Sequence, residues 1–142
     1  MGIDLDQAFA FAGQHAQGVL ATLKRDGRPQ LSNVLYLSAE GHTVRISVTD
    51  GRAKTKNLRR DPRASLHVTR GDFYAYVVLE GTVALSEVAE AVDGPVVEEL
   101  VGMYRAAQGE HPDWDEFRRV MVNDRRVVAT LAVTGAYGML GT

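Results

Sequence analysis

Residues 18–38 read GVLATLKRDGRPQLSNVLYLS, and this stretch carries the clearest fold signal in the chain. Asp26-Gly27 lies between two runs in which apolar and polar side chains alternate, a pattern typical of a tight β-hairpin. The turn-like sequence AEGH at 39–42 then leads into TVRISVT at 43–49. The sequence therefore predicts three successive antiparallel segments joined by short turns.

A period of two divides the residues of these segments between two faces. In the second segment, one face holds Leu31, Asn33, Leu35 and Leu37, and the other holds Gln30, Ser32, Val34 and Tyr36. In the third segment, Val44, Ile46 and Val48 alternate with Arg45, Ser47 and Thr49. Such alternation is expected of strands that bury one face.

The remaining segments add three strands and several short helices. Further strands are predicted at 63–69, 73–86 and 125–140, and helices at 4–16, 87–108 (with a break at 93–95) and 111–122. Asp113 and Glu116 are spaced as a capping box for the last helix. We therefore expect a mainly β fold with a single domain over residues 1–142. Its core would be a six-stranded antiparallel barrel, closed or partly closed, with short peripheral helices.

The composition is that of an ordinary globular protein and excludes several kinds of site. The 142 residues are 45 % hydrophobic and 24 % charged, with a net charge of −2 and a pI near 6.1. The absence of cysteine excludes disulfides and thiolate chemistry and is consistent with a cytoplasmic location. The acidic balance argues against a nucleic-acid partner. No apolar stretch approaches the roughly 20 residues of a membrane span, and the acidic N-terminus does not resemble a signal peptide.

Positive charge is nevertheless concentrated in one place, the segment DGRAKTKNLRRDPRAS at 50–65. Six of the sixteen Lys and Arg residues fall between Arg52 and Arg63, opposed there by Asp61 alone. The pattern predicts a short helix capped by Thr49 or Asp50 and ending before Pro62. An exposed helix kept solvated by its charges is one interpretation. The other is an anion site, because a helix N-terminus offers unpaired N–H groups and a partial positive charge.

The residues around the helix start favour the anion site. Arg52 grips a phosphate with two parallel N–H bonds, Lys54 acts as a point charge, and the Thr55 hydroxyl donates one bond. Small polar side chains, Ser47 and Thr49 on one strand and Gln30 and Ser32 on another, would form a continuous wall if the 39–42 turn pairs these strands. Such a surface suits a planar, nucleotide-like cofactor with a phosphate tail.

Other kinds of site are not supported by motifs. Neither the GxGxxG of dinucleotide folds nor the GxxxxGK[ST] of Walker sites is present. The four histidines lack metal-ligand spacing, so we expect no metal site. No arrangement of Ser, His and Asp for nucleophilic catalysis is evident, and the catalytic residues are left unassigned.

Five stretches carry a family resemblance: GVLATLKRDGRPQLSNV, RAKTKNLRRDPRAS, LEGTVAL, YRAAQGEHPDWDEFRRVMV and DRRVVATLAVTGAYG. They resemble the flavin/deazaflavin oxidoreductases of the pyridoxamine-phosphate-oxidase-like superfamily. More narrowly, they resemble its actinobacterial branch of coenzyme F420-dependent enzymes. The resemblance implies a split β-barrel, an obligate homodimer and two cofactor sites at the subunit interface.

The resemblance also implies roles for individual residues. Those that would hold the cofactor phosphate are Arg52, Lys54 and Thr55, with Asn57 in support. Those that would line the ring edge and linker are Gln30, Ser32, Ser47 and Thr49. Tyr74 and Tyr76 of the partner subunit would lie against the cofactor, although ordinary strand packing also explains these two tyrosines.

The cofactor and activity follow from the same resemblance. F420, with its phosphodiester and polyglutamate tail, would use the additional cations Lys56, Arg59, Arg60 and Arg63, whereas FMN, the alternative, needs fewer. Vitamin B6 oxidase activity is disfavoured because the chain ends in GAYGMLGT instead of a Trp-Arg-Leu-type segment.

The expected activity is hydride transfer from reduced F420 to an electron-poor C=C or C=N bond of a small organic substrate. The proton would come from Tyr36, Tyr74, Tyr76 or solvent. The alternatives are an FMN-dependent oxidase or reductase, a non-catalytic cofactor carrier, and a barrel that binds single-stranded nucleic acid.

Overall fold

The computed structural model describes residues 2–141, which form one seven-stranded antiparallel sheet and four helices. The helices are α1 (Leu5–Ala12), α2 (Ala53–Arg60), α3 (Pro95–Gln108) and α4 (Trp114–Asn123). The strands are β1 (Gln17–Leu23), β2 (Pro29–Leu35), β3 (Leu37–Ala39), β4 (Thr43–Thr49), β5 (Arg63–Thr69), β6 (Tyr76–Leu85) and β7 (Arg126–Met139). The predicted mainly β, antiparallel class is confirmed.

The sheet curls into a half-barrel whose strands follow the order β2-β1-β5-β6-β7-β4-β3. Its two edge strands, β2 and β3, are consecutive in the chain, so the curled sheet brings its own edges close together. A β-bulge between Glu80 and Gly81 bends the long β6–β7 ribbon. Gly81 is required there because a Cβ would collide with the backbone oxygen of Ala132.

The predicted count of six strands is wrong, because the segment 28–38 is divided at Tyr36. The Tyr36 side chain is only 5 % exposed, and its hydroxyl donates to the carbonyl oxygen of Ala12 at 2.6 Å. Its backbone N–H donates to Ala16 at 3.0 Å, outside the strand ladder. The residues before Tyr36 pair with β1 and those after it pair with β4, so one predicted strand becomes two.

Two hydrophobic cores stabilise the fold. The larger lies inside the curled sheet and includes Leu20, Ile46, Leu66 and Leu131. The smaller lies outside it, where the apolar sides of α3 and α4 cover Val128 of β7. Burial of apolar surface on both sides of β7 explains why this strand is a near-continuous apolar run.

The outer face of β2, β1, β5, β6 and the end of β7 has no helix over it. Ladder partners place its residues on one continuous surface, which we call the open face. Its large exposed side chains are Leu31, Leu35, Tyr137 and Met139, which are between 42 % and 63 % exposed. A groove of about 790 Å³ runs across it beside His15, Leu35 and His67.

Two helix starts differ from those predicted, and one predicted cap is confirmed. The helix α2 is preceded by Arg52 as its N-cap, without a side-chain hydrogen bond, instead of Thr49 or Asp50. Residues 87–92 are not helical, because the chain continues beside β7 and Ala89 donates its N–H to the Arg126 carbonyl. Asp113 does cap α4 by accepting from the Glu116 N–H.

Candidate cofactor site

The loop from β4 to α2 is held by two backbone hydrogen bonds just before the first turn of the helix. Asp50 donates its N–H to Arg125 at 3.0 Å, and Arg52 donates its N–H to the Thr49 carbonyl at 3.1 Å. These bonds fix the turn that precedes α2. The N–H groups of the first helical turn, at 53–55, have no acceptor within the helix, so this end favours an anion.

Three cations lie at this end of the helix, and we call Arg52, Lys54 and Arg126 the N-terminal cluster. Arg126 begins β7 and pairs with Thr49, the last residue of β4. Burial lowers the pKa of Lys54 below its usual value, and the charges of Arg52 and Arg126 lower it further. Within residues 2–141, neither Arg52 nor Lys54 forms a salt bridge. The cluster therefore repels itself, and its one salt bridge within that range joins Arg126 to Asp124 at 3.5 Å.

Two of the predicted polar residues lie beside this cluster. Ser47 and Thr49 alternate along β4 with buried Val44, Ile46 and Val48. The guanidinium of Arg126 donates to the Ser47 hydroxyl at 3.5 Å, a long and weak bond. Sequence reasoning missed Arg126, since no local pattern relates it to a turn more than seventy residues earlier.

The predicted role of the Thr55 hydroxyl requires correction. Thr55 is fully buried, and its hydroxyl donates to the Thr49 carbonyl oxygen at 2.7 Å. The single hydroxyl proton is used to hold the β4–α2 loop, so it is not available to a phosphate. Thr55 reaches the anion side of the helix only through its backbone N–H.

The other predicted polar residues form a separate network inside the mouth of the half-barrel. Thr22 is fully buried, donates to Gln30 at 3.2 Å and accepts from Asn57 at 3.1 Å. Gln30 in turn donates to Ser32 at 3.2 Å. Asn57 is itself buried, and this chain of bonds joins α2 to β1 and β2.

The prediction that these polar side chains form one continuous wall is therefore wrong, because the strands that carry them do not pair with each other. The turn at 39–42 pairs β3 with β4, while Gln30 and Ser32 pair with β1 at the other end of the strand order. Gln30 and Ser32 share a face with buried Val34, whereas Ser47 faces outward. The site has two polar parts on either side of α2 instead of one wall.

A second basic surface, which we call the turn groove, lies between α2 and the β1–β2 turn. Its volume is about 460 Å³, and its cationic lining residues are Lys24, Arg25, Lys56 and Arg60. Arg60 donates to two neutral oxygens, the Leu23 carbonyl and the Asn57 side chain, both at 2.8 Å. The acid at the groove, Asp26, lies 3.7 Å from Arg28. Lys24 and Arg25 were missed because only tertiary packing brings the hairpin turn to α2.

The remaining cations of the segment are neutralised. Arg59 lies 2.6 Å from Asp50, which also contacts Arg125 at 3.3 Å. Arg63 binds Asp61 with two hydrogen bonds of 3.1 and 2.8 Å. These guanidinium bonds lower the pKa of Asp61 to about 2. Arg59 and Arg63 therefore contribute less to an anion site than their number suggests.

The structure does not bring Tyr74 and Tyr76 to the N-terminal cluster. Tyr74 lies in an exposed turn, and the Tyr76 ring packs on His67 at 5.5 Å on the open face. Tyr76 pairs with Met139, whereas Thr49 pairs with Arg126, thirteen residues away at the opposite end of β7. That separation is about 43 Å along an extended strand. Within one chain, these tyrosines and the cluster lie at different ends of the sheet.

One candidate proton donor is excluded by its environment. Burial raises the pKa of the Tyr36 phenol far above its ordinary value, and its proton is donated to the Ala12 carbonyl. Tyr36 is therefore a structural residue at the β2–β3 junction. Tyr74 and Tyr76, both on the accessible side of the sheet, stay as candidates.

Neither a metal-ligand cluster nor a helix that could span a membrane is present among the residues that the structure describes. In residues 2–141, no three His, Asp or Glu side chains gather as a metal site would require. None of the four helices in that range is both long and apolar enough to cross a membrane.

Several solved structures share this fold. A conserved hypothetical protein from Mycobacterium tuberculosis superposes with a TM-score of 0.73 at 25 % identity, over 96 % of this chain and 84 % of that one. An F420 reductase gives 0.69 at 18 % identity, over 91 % and 94 % of the two chains. A heme binding protein from Mycobacterium smegmatis gives 0.70 at 23 %, over 96 % and 54 %. The F420 reductase and the heme binding protein are both less than 25 % identical to this chain, so these two similarities show the fold and do not identify a ligand.

The family is established by the sequence itself. Residues 5–137 match the family model described as pyridoxamine 5'-phosphate oxidase, which takes in every strand up to the outer end of β7. The match covers most of the chain and agrees with the curled antiparallel sheet, so the resemblance recognised in the sequence is confirmed at the level of the superfamily. This chain is a member of the pyridoxamine 5'-phosphate oxidase family.

Proposed function

We propose that this protein is an F420-dependent oxidoreductase that works as a homodimer. The observation that carries the proposal is the presence of two basic surfaces beside α2, the N-terminal cluster at its first turn and the turn groove between the helix and the β1–β2 turn. Arg52 and Lys54 have no salt bridge within residues 2–141, and Arg60 of the turn groove binds only neutral oxygens. A ligand with negative charge at two separated points satisfies both.

Coenzyme F420 has such a charge distribution, because it carries an internal phosphodiester and a polyglutamate tail. Arg52, Lys54 and the N–H groups at 53–55 are suited to the phosphate. Lys24, Arg25 and Lys56 of the turn groove are suited to the tail carboxylates. FMN ends at its phosphate and would leave the turn groove unused. This difference favours F420 over FMN.

The chain itself contributes binding, orientation and exclusion of water. Bound reduced F420 supplies the hydride for an electron-poor C=C or C=N bond of a small organic substrate. Ser47 and Thr49 on one side of α2, and Gln30 and Ser32 on the other, offer hydrogen bonds for a polar ring edge and linker. Tyr74 or Tyr76, from the partner subunit, is positioned on an accessible surface and can donate a proton.

The homodimer is proposed from the open face. Four large exposed side chains, Leu31, Leu35, Tyr137 and Met139, lie on one side of the sheet that no helix covers. Leu31 and Leu35 lie on β2, and Tyr137 and Met139 lie on β7, at the two margins of this face. Large apolar side chains left exposed on a sheet face are typical of a protein–protein interface. A second copy would also bring its Tyr74 and Tyr76 within reach of a site that they cannot reach in their own chain.

The dimer is tested by placing a charge on the open face. Leu35→Lys should shift the mass measured by light scattering from dimer to monomer and weaken cofactor binding in parallel. Val120→Lys is the matched control, because Val120 is 40 % exposed on α4, away from the open face. A wild-type protein that is monomeric at all concentrations would contradict this part of the proposal.

The cofactor is tested by titrating the full chain with F420, F420 lacking its glutamates, FMN and heme. F420 should bind at least about tenfold more tightly than FMN, which corresponds to about 1.4 kcal/mol. Removing the glutamates should abolish that advantage. Equal affinity for FMN and F420, or tight binding of heme with its Soret band, would contradict the assignment. Turnover of a model enone with reduced F420 distinguishes an enzyme from a cofactor carrier.

A further inference from the structure

Arg126 is the residue of the N-terminal cluster that has a buried nitrogen without a hydrogen-bond partner in the described part of the chain. Its Nε atom is buried and has no hydrogen-bond partner among the described residues. Its terminal nitrogens make only long contacts, 3.5 Å to the Ser47 hydroxyl and 3.5 Å to the Asp124 carboxylate. The side chain as a whole is 30 % exposed, so Nε is the part of the guanidinium that lacks both solvent and a partner within residues 2–141, and an unpaired buried polar group of this kind requires a reason.

The nearby carboxylates compensate for the positive charge of the cluster only in part, through the contact of Asp124 with Arg126. Asp50 is held by Arg59 at 2.6 Å and by Arg125 at 3.3 Å, on the other side of the loop. Arg126 instead lies close enough to Lys54 to contribute to the lowered pKa of that lysine. Arg52, Lys54 and Arg126 therefore approach one another around the first turn of α2, where Asp124 forms a salt bridge of 3.5 Å with Arg126 and, within residues 2–141, none with the other two.

We propose that Arg126 binds the phosphate of the cofactor, together with Arg52 and Lys54, and that β7 thereby supplies one side of the phosphate site. This inference rests on the proposed function only in assuming that the ligand carries a phosphate. An oxyanion between the three cations would satisfy the unpaired Nε, relieve the repulsion felt by Lys54 and replace the long Ser47 contact.

A purely structural role makes a different prediction. If Arg126 only pairs β7 with β4 through Thr49 and Ser47, its loss should lower the free energy of unfolding and affect all ligands alike. If it binds phosphate, its loss should weaken phosphate-bearing ligands and leave their phosphate-free counterparts unchanged. Ligand pairs that differ only by the phosphate separate the two roles.

The experiment compares Arg126→Gln, Arg126→Lys and Arg119→Gln. Arg119 is exposed on α4, so its variant makes the same change in net charge away from the cluster. Each full-length variant is titrated calorimetrically with inorganic phosphate, FMN and riboflavin, and its unfolding is followed in urea. Arg126→Gln should weaken phosphate and FMN by about 10- to 100-fold, with riboflavin unchanged. Arg126→Lys should fall between Arg126→Gln and wild type, because it keeps the charge but loses the planar fork.

Several results would overturn the inference. It fails if Arg126→Gln matches Arg119→Gln for phosphate and FMN, if riboflavin weakens as much as FMN, or if wild type binds no phosphate. A failure of the proposed function looks different, because F420 would then show no advantage over FMN while the phosphate-specific effect of Arg126→Gln persists.

Discussion

Arg52 and Lys54 in the first turn of α2 form no salt bridge within residues 2–141, whereas Arg59 and Arg63 near its other end each contact an aspartate closely. The two ends come from one basic segment and carry the same kind of side chain. Their neighbours differ, because β7 places Arg126 beside the first end, whereas Arg59 pairs with Asp50 and Arg63 pairs with Asp61. A run of cations in a sequence therefore marks a candidate anion site, and the fold decides which half of it is available.

The most direct test of this difference removes two cations from each end of α2. Arg52→Ala with Lys54→Ala should weaken F420 or FMN binding by at least about 2 kcal/mol, or about 30-fold, because each charged hydrogen bond contributes about 1.5–3 kcal/mol. Arg59→Ala with Arg63→Ala removes the same charge and should cost far less. Calorimetry on both double variants makes the measurement. Equal losses at the two ends would show that total charge, and not placement, controls binding.

A smaller effect is expected at Thr55, whose hydroxyl bond to Thr49 stabilises the loop before the first turn of α2. Thr55→Val removes the bond to Thr49 and should lower the free energy of unfolding by about 1 kcal/mol in urea denaturation. Thr82→Val, at an exposed position on β6, is the control and should have little effect. Unchanged stability together with a large loss of FMN affinity would mean that the hydroxyl binds the ligand directly.

The lowered pKa of Lys54 predicts a pH dependence at the available end. Because burial, Arg52 and Arg126 favour the neutral amine, Lys54 loses its proton below the ordinary lysine value of 10.5. Titrations across the alkaline range below pH 10.5 should therefore show FMN affinity falling with pH in wild type and staying nearly flat in Lys54→Arg.

The same shift makes a prediction for the protein without ligand. The unfolded chain holds the Lys54 proton to higher pH than the folded one, so this residue adds stability as pH rises through its folded pKa. Urea midpoints that fall over the same alkaline range in wild type relative to Lys54→Arg would contradict the sign of the shift.

The smallest effect is expected for the ion pair between Arg63 and Asp61, which follows the C-terminal end of α2. Arg63 holds the pKa of Asp61 at about 2, below the value of about 3.9 expected in the unfolded chain. The stability from this exposed pair is present above about pH 4 and is lost as pH falls toward about pH 2. Urea midpoints measured across that range should fall more in wild type than in Asp61→Asn. Asp115→Asn, at an exposed position on α4, should behave as wild type does.

Much of the local structure was predictable because its causes are local. The Asp26-Gly27 turn formed as expected, with Gly27 at a φ of 87°, and α2 ends before Pro62. The Asp113 cap followed from spacing alone. In each case a residue type acts on neighbours within a few positions, which a single sequence displays.

The rest depended on contacts between distant segments. Arg126 joins the cluster only through the β4–β7 ladder, and Lys24 joins α2 only through packing of a hairpin turn. The strand break at Tyr36 arises from a hydrogen bond to α1, twenty-four residues away. The two-residue alternation of side chains continues through Tyr36, so the sequence pattern did not indicate that the strand is divided there. The family resemblance supplied the place of the candidate site, which stays a prediction, and only the fold assigned a separate role to Thr55.

The junction at Tyr36 has a consequence for behaviour at high concentration. The unpaired strand margins of a curled sheet are where foreign strands attach and fibrils begin. Here both margins belong to one continuous piece of chain, β3 is only three residues long, and β2 opens with Pro29, which has no N–H to offer. The unpaired edges on which fibrils could grow are thus short and close together in the chain, and the dimer proposed through the open face would not need to use them.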